Sequence, residues 1–70
     1  MLEIFKTNIE DTSDARMIID HLHRSFPGNS IHIDLHDCDK ILRVQGEHFP
    51  VDQIIAHVKA SGFDCTVLEN

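Results

Sequence analysis

The chain has 70 residues, of which 41% are hydrophobic and 26% charged, and this length predicts a single domain over residues 1–70. The formal net charge of -6, with only six Lys and Arg, argues against nucleic acid and anionic membrane surfaces as partners. The sequence has no apolar run of transmembrane length and no secretion signal, so we expect a cytoplasmic protein with reduced Cys38 and Cys65.

The first half of the chain predicts a strand followed by a helix. LEIFKTNI is rich in Ile, Phe and Thr and predicts a strand over about residues 2–9. DARMIIDHLHRSF has helical spacing, because one face collects the apolar residues Ala15, Ile18, Ile19, Leu22 and Phe26. PGNS at residues 27–30 then ends the helix.

The second half predicts a hairpin, a helix and a last strand. In SIHIDLHD, apolar Ile31, Ile33 and Leu35 alternate with polar residues, and ILRVQG reads as the return strand of a hairpin over residues 30–46. PVDQIIAHVKASG predicts a helix with Pro50 in its first turn, Gly62 at its C-terminus, and an apolar face of Val51, Ile54, Ile55 and Val58. FDCTVLE predicts the final strand, with Phe63, Cys65 and Val67 on one side.

The order β-α-β-β-α-β predicts an α+β, ferredoxin-like fold. Two helices with one apolar stripe each pack on one face of a four-stranded antiparallel sheet of order 4-1-3-2. This topology collects the loop at 9–14, the hairpin at 36–40 and the turn at 61–63 at one end of the domain.

Four parts of the sequence carry a family resemblance: FKTNI before the first helix, Ile18 and Leu22 within it, DKILRVQGE in the hairpin and IIAHVKASGFD near the C-terminus. The chain resembles the heavy-metal-associated domain of small copper chaperones and copper-transporting ATPases. The resemblance implies a CxxC motif at positions 11 and 14, where this chain reads DTSD. Cu(I) selects thiolates, whereas carboxylates suit Mg, Ca or Mn, so the copper-transfer activity does not carry over to Asp11 and Asp14.

Two groups of potential ligands have a structural interpretation as well as a functional one. Asp11 is a favoured helix N-cap with Asp14 at the third helical position, and we prefer this interpretation over a weak divalent-cation site. The hairpin residues His36, Asp37, Cys38 and Asp39 are interpreted as a solvated turn. Because the strand ILRVQG lies between the hairpin and the first strand, we expect the two groups to be about 10 Å apart or more.

The remaining histidines and cysteines suggest no site. On one face of the strand SIHIDLHD lie His32, Asp34 and His36. On the first helix, His21 and His23 do not face each other. We expect His21 to be partly covered and His57 to be exposed. Cys65 is expected to be a buried hydrophobe, too far from Cys38 for a disulfide.

The sequence therefore predicts a small, soluble, non-enzymatic domain without the thiolate site, acting as an interaction module with a protein partner. We expect no cofactor and assign no catalytic, cofactor-binding or metal-binding residues. The alternative is a divalent-cation binding or metal-homeostasis protein that uses carboxylate and His ligands, with Asp11, Asp14 and the 36–39 hairpin as candidates. An enzyme based on Cys38 is disfavoured, because the sequence shows no base with an orienting partner.

Overall fold

The computed structural model describes residues 1–69 and has the predicted order of strands and helices. The elements are β1 (Leu2–Thr7), α1 (Thr12–Ser25), β2 (Ser30–Asp34), β3 (Ile41–Gln45), α2 (Val51–Ala60) and β4 (Cys65–Val67). The strands form one antiparallel sheet in the order β2-β3-β1-β4, which is the predicted order read from the other edge. No helix within residues 1–69 is long and apolar enough to cross a membrane.

The core lies between the sheet and the two helices. The sheet contributes Phe5, Leu42 and Val44, whose side chains have no exposed surface. The predicted apolar faces of both helices are confirmed, with Ala15, Ile18, Leu22, Ile54 and Val58 buried and Ile19, Val51 and Ile55 partly buried against them. Burial of these apolar side chains is the main force holding the helices on the sheet.

Several strands are shorter than predicted, and in β1 and β2 a side chain at the end of the strand hydrogen-bonds to the backbone of the following turn. β1 ends at Thr7, whose hydroxyl accepts a hydrogen bond from the amide of Ile9 at 3.2 Å. β2 ends at Asp34, whose carboxylate accepts from the amide of His36 at 3.0 Å. His36 therefore belongs to a turn, and its predicted place on the face of strand 2 is wrong. β4 covers only Cys65–Val67 of the predicted final strand.

The end of α2 brings the chain back into the sheet through Gly62. Gly62 has φ +99°, and its amide donates to the carbonyl of Lys59 at 3.0 Å. The next amide, that of Phe63, donates to the carbonyl of Val58 at 3.4 Å. This pair of bonds is a Schellman motif, with Gly62 just past the cap residue Ser61. At the other end of α2, Pro50 is the N-cap and not a first-turn residue.

Candidate functional site

The loop between β1 and α1 holds the first pair of predicted site residues. Asp11 is the N-cap of α1, as predicted, and its carboxylate accepts a hydrogen bond from the amide of Ser13 at 3.1 Å. Its carbonyl accepts from the amide of Ala15 at 2.9 Å. Asp14 lies half-buried in the first turn, but within the described residues it makes no side-chain hydrogen bond back to the cap. Asp11 is therefore bound to its own helix, and Asp14 contributes only its charge there.

The hairpin between β2 and β3 brings three potential ligands together. Each of Asp37, Cys38 and Asp39 offers one ligand atom, and these atoms lie within 4.8 Å of one another; His36 does not belong to the group. The Asp37 carboxylate accepts from the amide of Asp39 at 2.8 Å. Lys40, with φ 47°, donates its amide to the Asp37 carbonyl at 3.1 Å. The Asp37 carboxylate thus already satisfies the backbone of a tight turn.

The hairpin lies closer to β1 than the sequence predicted. The amide of Thr7 donates to the carbonyl of Asp39 at 3.1 Å, and the Lys6 amine lies 3.6 Å from the Asp39 carboxylate. The expectation that β3 separates the whole hairpin from β1 is therefore wrong at Asp39. The reason is register: β1 pairs Phe5 with Leu42, so residues just before β3 continue the ladder along the end of β1. The expected distance of about 10 Å or more between the hairpin and the pair of Asp11 and Asp14 stays a prediction.

The two predicted groups, Asp11 with Asp14 and the hairpin residues 36–39, nevertheless do not come together as ligands of one ion. Within residues 1–69, the hairpin group of three does not include Asp11 or Asp14. The turn after α2 reaches the same end of the domain, as predicted, because Asp64 and Asn8 exchange hydrogen bonds of 2.8 and 3.3 Å. The loops share one end of the fold without converging on one point.

The two cysteines occupy opposite environments and are both free, as predicted. Cys38 is exposed, whereas Cys65 has no exposed surface and packs in the core. Burial raises the pKa of the Cys65 thiol to about 11, against a smaller lowering by the charge of Lys59. Because soft metals bind the thiolate, this side chain is a poor ligand at neutral pH.

Sequence reasoning missed a contact between two histidines on different helices. Nε2 of His21 lies 2.8 Å from Nδ1 of His57, and the ring centroids are 4.9 Å apart. The expected exposures are reversed: His21 is exposed, and His57 is half-buried with its ring in edge contact with Phe26 at 5.1 Å. One signal was in the sequence, since each histidine immediately precedes a core residue of its helix, Leu22 or Val58, and so lies next to the buried face of that helix.

Comparison with known proteins supports the fold. No protein-family model and no curated protein matches the chain. A similar solved structure is the solution structure of the yeast copper transporter domain Ccc2a in the apo and Cu(I)-loaded states, with a TM-score of 0.73. The sequences are 21% identical, and the match covers 97% of this chain and 94% of that one. The chain therefore has a ferredoxin-like α+β fold, which it shares with this copper transporter domain.

Proposed function

We propose that this protein is a non-enzymatic heavy-metal-associated-like domain that has no thiolate metal site and acts by binding another protein. The observation that carries the proposal is the hydrogen bond from the Ser13 amide to the Asp11 carboxylate. The family resemblance puts the first metal-binding cysteine at this position. At this position the chain has a carboxylate that caps α1 instead of a soft metal ligand, and it keeps the fold.

The surroundings of the two thiols support the loss of Cu(I) binding by thiolates. Cu(I) requires soft ligands such as thiolates or thioethers. Cys65 is buried in the core with a raised pKa, and Cys38 lies in the hairpin between β2 and β3. The two thiols do not replace the pair that the resemblance implies at Asp11 and Asp14.

The surface supports a protein partner whose contact face is basic. The net charge of -6 steers the domain toward positive surfaces. Three exposed apolar side chains supply contact area: Met1, Leu2 and Met17 are 51%, 52% and 49% exposed. We place the domain in the cytoplasm, and its two free cysteines support a reducing compartment.

A role without catalysis is supported by the surroundings of Cys38, the exposed potential nucleophile. Activation of a cysteine needs a base within hydrogen-bonding reach and a group that orients the base. Among residues 1–69, the Cys38 thiol has no hydrogen-bonded histidine that could act as this base.

Isothermal titration of the whole chain with Cu(I) under anaerobic conditions tests the proposal. We expect no stoichiometric binding with a sub-micromolar Kd. The Cys38→Ser variant is the matched control, because it removes the exposed thiol and should leave the titration unchanged. Stoichiometric sub-micromolar binding by the native chain would contradict the proposed loss of the site.

A second candidate function is divalent-cation binding at the hairpin, favoured by the three ligand atoms of Asp37, Cys38 and Asp39 within 4.8 Å of one another. A titration with Zn²⁺ and Ca²⁺ followed by amide NMR tests it. Saturable shifts confined to residues 36–40, and lost in Asp39→Asn, would support this function. Unchanged amides in that segment would eliminate it.

A further inference from the structure

The hydrogen-bonded pair of His21 and His57 is a chelating arrangement outside both groups considered above. His21 lies on α1 and His57 on α2, and the facing nitrogens, Nε2 and Nδ1, are 2.8 Å apart. We propose that these two imidazoles bind one divalent late transition-metal ion, Cu²⁺ most tightly, with water completing the coordination shell.

The two rings are positioned by the packing of the core. The next residues along the chain, Leu22 and Val58, are 1% and 0% exposed, which fixes where each helix presents its histidine. The edge contact between Phe26 and His57 restricts the rotation of the half-buried ring. His21 is exposed, so water can reach the metal position from that side. A pair held in this way loses little side-chain entropy when it binds an ion.

The spacing of the nitrogens suits a metal that binds ligands at right angles. Imidazole nitrogens bind such ions at about 2.0 Å, so neighbouring ligands at 90° lie about 2.8 Å apart and tetrahedral ones about 3.3 Å apart. The observed 2.8 Å is the length of the hydrogen bond between the rings, and it equals the spacing of the first arrangement, so the nitrogens need no change of separation to bind such an ion. Tetragonal nitrogen and oxygen coordination is typical of Cu²⁺ and Ni²⁺, and Cu²⁺ has the highest affinity in the first-row series.

Binding of the metal ion requires a change of tautomer in one of the two histidines, but it requires no oxidant or reductant. In the hydrogen bond, one of the two facing nitrogens carries a proton and the other accepts it. With a metal bound, His21 keeps its proton on Nδ1 and His57 keeps its proton on Nε2. The ion lies off the line between the two nitrogens, so a small rotation of each ring directs both lone pairs at it, and the change of tautomer releases no proton.

The pair is separate from the loop where the family resemblance implies a metal. The position of His21 along α1 is about 15 Å from that of Asp11, at 1.5 Å per residue. The ligands are nitrogens, so the site selects Cu²⁺, Ni²⁺ or Zn²⁺ and does not need the thiolates that Cu(I) requires. The inference therefore stands or fails independently of the proposed loss of Cu(I) binding.

The test is a Cu²⁺ titration of the whole chain in three variants, His21→Gln, His57→Gln and His23→Gln. His23 is an exposed histidine on the same helix, so its variant is the matched control. Amide NMR spectra check that each variant is folded; His21→Gln changes an exposed side chain and is the safer of the two test variants. Electron paramagnetic resonance reports whether two nitrogens are bound to the ion.

We expect the native chain and His23→Gln to bind one Cu²⁺ with a two-nitrogen spectrum. His21→Gln and His57→Gln should each bind at least about tenfold more weakly, because loss even of an outer partner of a metal ligand costs about that much. The proposal is overturned if the native chain does not bind Cu²⁺, or if either test variant binds it like the native chain. The latter result would assign the binding to other surface histidines.

Discussion

The carboxylate of Asp11 accepts a hydrogen bond from the amide of Ser13 at 3.1 Å, so the residue before α1 is bound to the first turn of the helix. This bond gives Asp11 a structural role at the position where the family resemblance implies a metal-binding cysteine. The first α-helix thus begins on a carboxylate that stabilises it, without any need for a metal.

Replacing Asp11 with Ala should lower the free energy of unfolding by about 1 kcal/mol, since loss of an N-cap acceptor typically costs that much. Urea unfolding of the whole chain measures the change. Asp11→Asn keeps the acceptor and should cost less than Asp11→Ala. If the two variants are equally stable, the cap bond does not support the helix.

Truncation of a central core residue should destabilise the protein far more. Leu42→Ala should cost about 2–5 kcal/mol, because Leu42 has no exposed surface and its loss leaves a cavity between the sheet and the helices. Leu2→Ala is the control, since Leu2 is 52% exposed, and it should change stability by about 0.5 kcal/mol or less. Thermal or urea unfolding compares the two.

Cys65 should make stability depend on pH in the alkaline range. Burial raises the pKa of its thiol from 9.0 to about 11 in the folded chain. Between these pH values the unfolded thiol loses its proton while the folded thiol keeps it, so the folded state binds more protons. The free energy of unfolding should therefore be highest below pH 9 and fall as the pH rises to about 11.

The matched variant for this effect is Cys65→Ala, which should be less stable at neutral pH but should lose less stability over the same alkaline range. Urea unfolding at a series of pH values gives both slopes. Equal slopes in the native chain and in Cys65→Ala would show that Cys65 has no part in the effect.

Gly46 is required by its neighbour Asn29. A Cβ at position 46 would overlap the Asn29 side-chain oxygen, and the Asn29 amide group donates to the carbonyl of Phe26 at 3.1 Å. Gly46→Ala should therefore displace Asn29 and cost about 0.5–1.5 kcal/mol, the usual contribution of one hydrogen bond. A double-mutant cycle with Asn29→Ala measures the coupling; the cost of Gly46→Ala should shrink in the Asn29→Ala background. An unchanged cost would contradict this explanation.

The fold could be predicted because its signals are local and repeated. The spacing of Ile18 and Leu22 predicted α1, and the alternation of Ile31 and Ile33 with polar residues predicted β2. Together with the short connections, these patterns left few topologies, and the sheet order followed from handedness. The ends of the strands were harder, because Thr7 and Asp34 end them through side-chain hydrogen bonds that periodicity does not encode.

The candidate sites were only partly predictable. The cap at Asp11 follows from residue type and position alone, and it was found. The contact of Asp39 with Thr7 depends on strand register, and the contact of His21 with His57 depends on the relative rotation of two helices. Both are set by packing between elements distant in sequence, which composition and spacing within one segment do not reveal.

The most direct test of the central claim is Cu(I) affinity, measured by competition with a Cu(I)-selective chelator under anaerobic conditions. The native chain is compared with the double variant Asp11→Cys plus Asp14→Cys, which restores the pair that the resemblance implies. We predict that the native chain leaves Cu(I) on the chelator and that the double variant withdraws it. Withdrawal of Cu(I) by the native chain with the same affinity as the double variant would contradict the account.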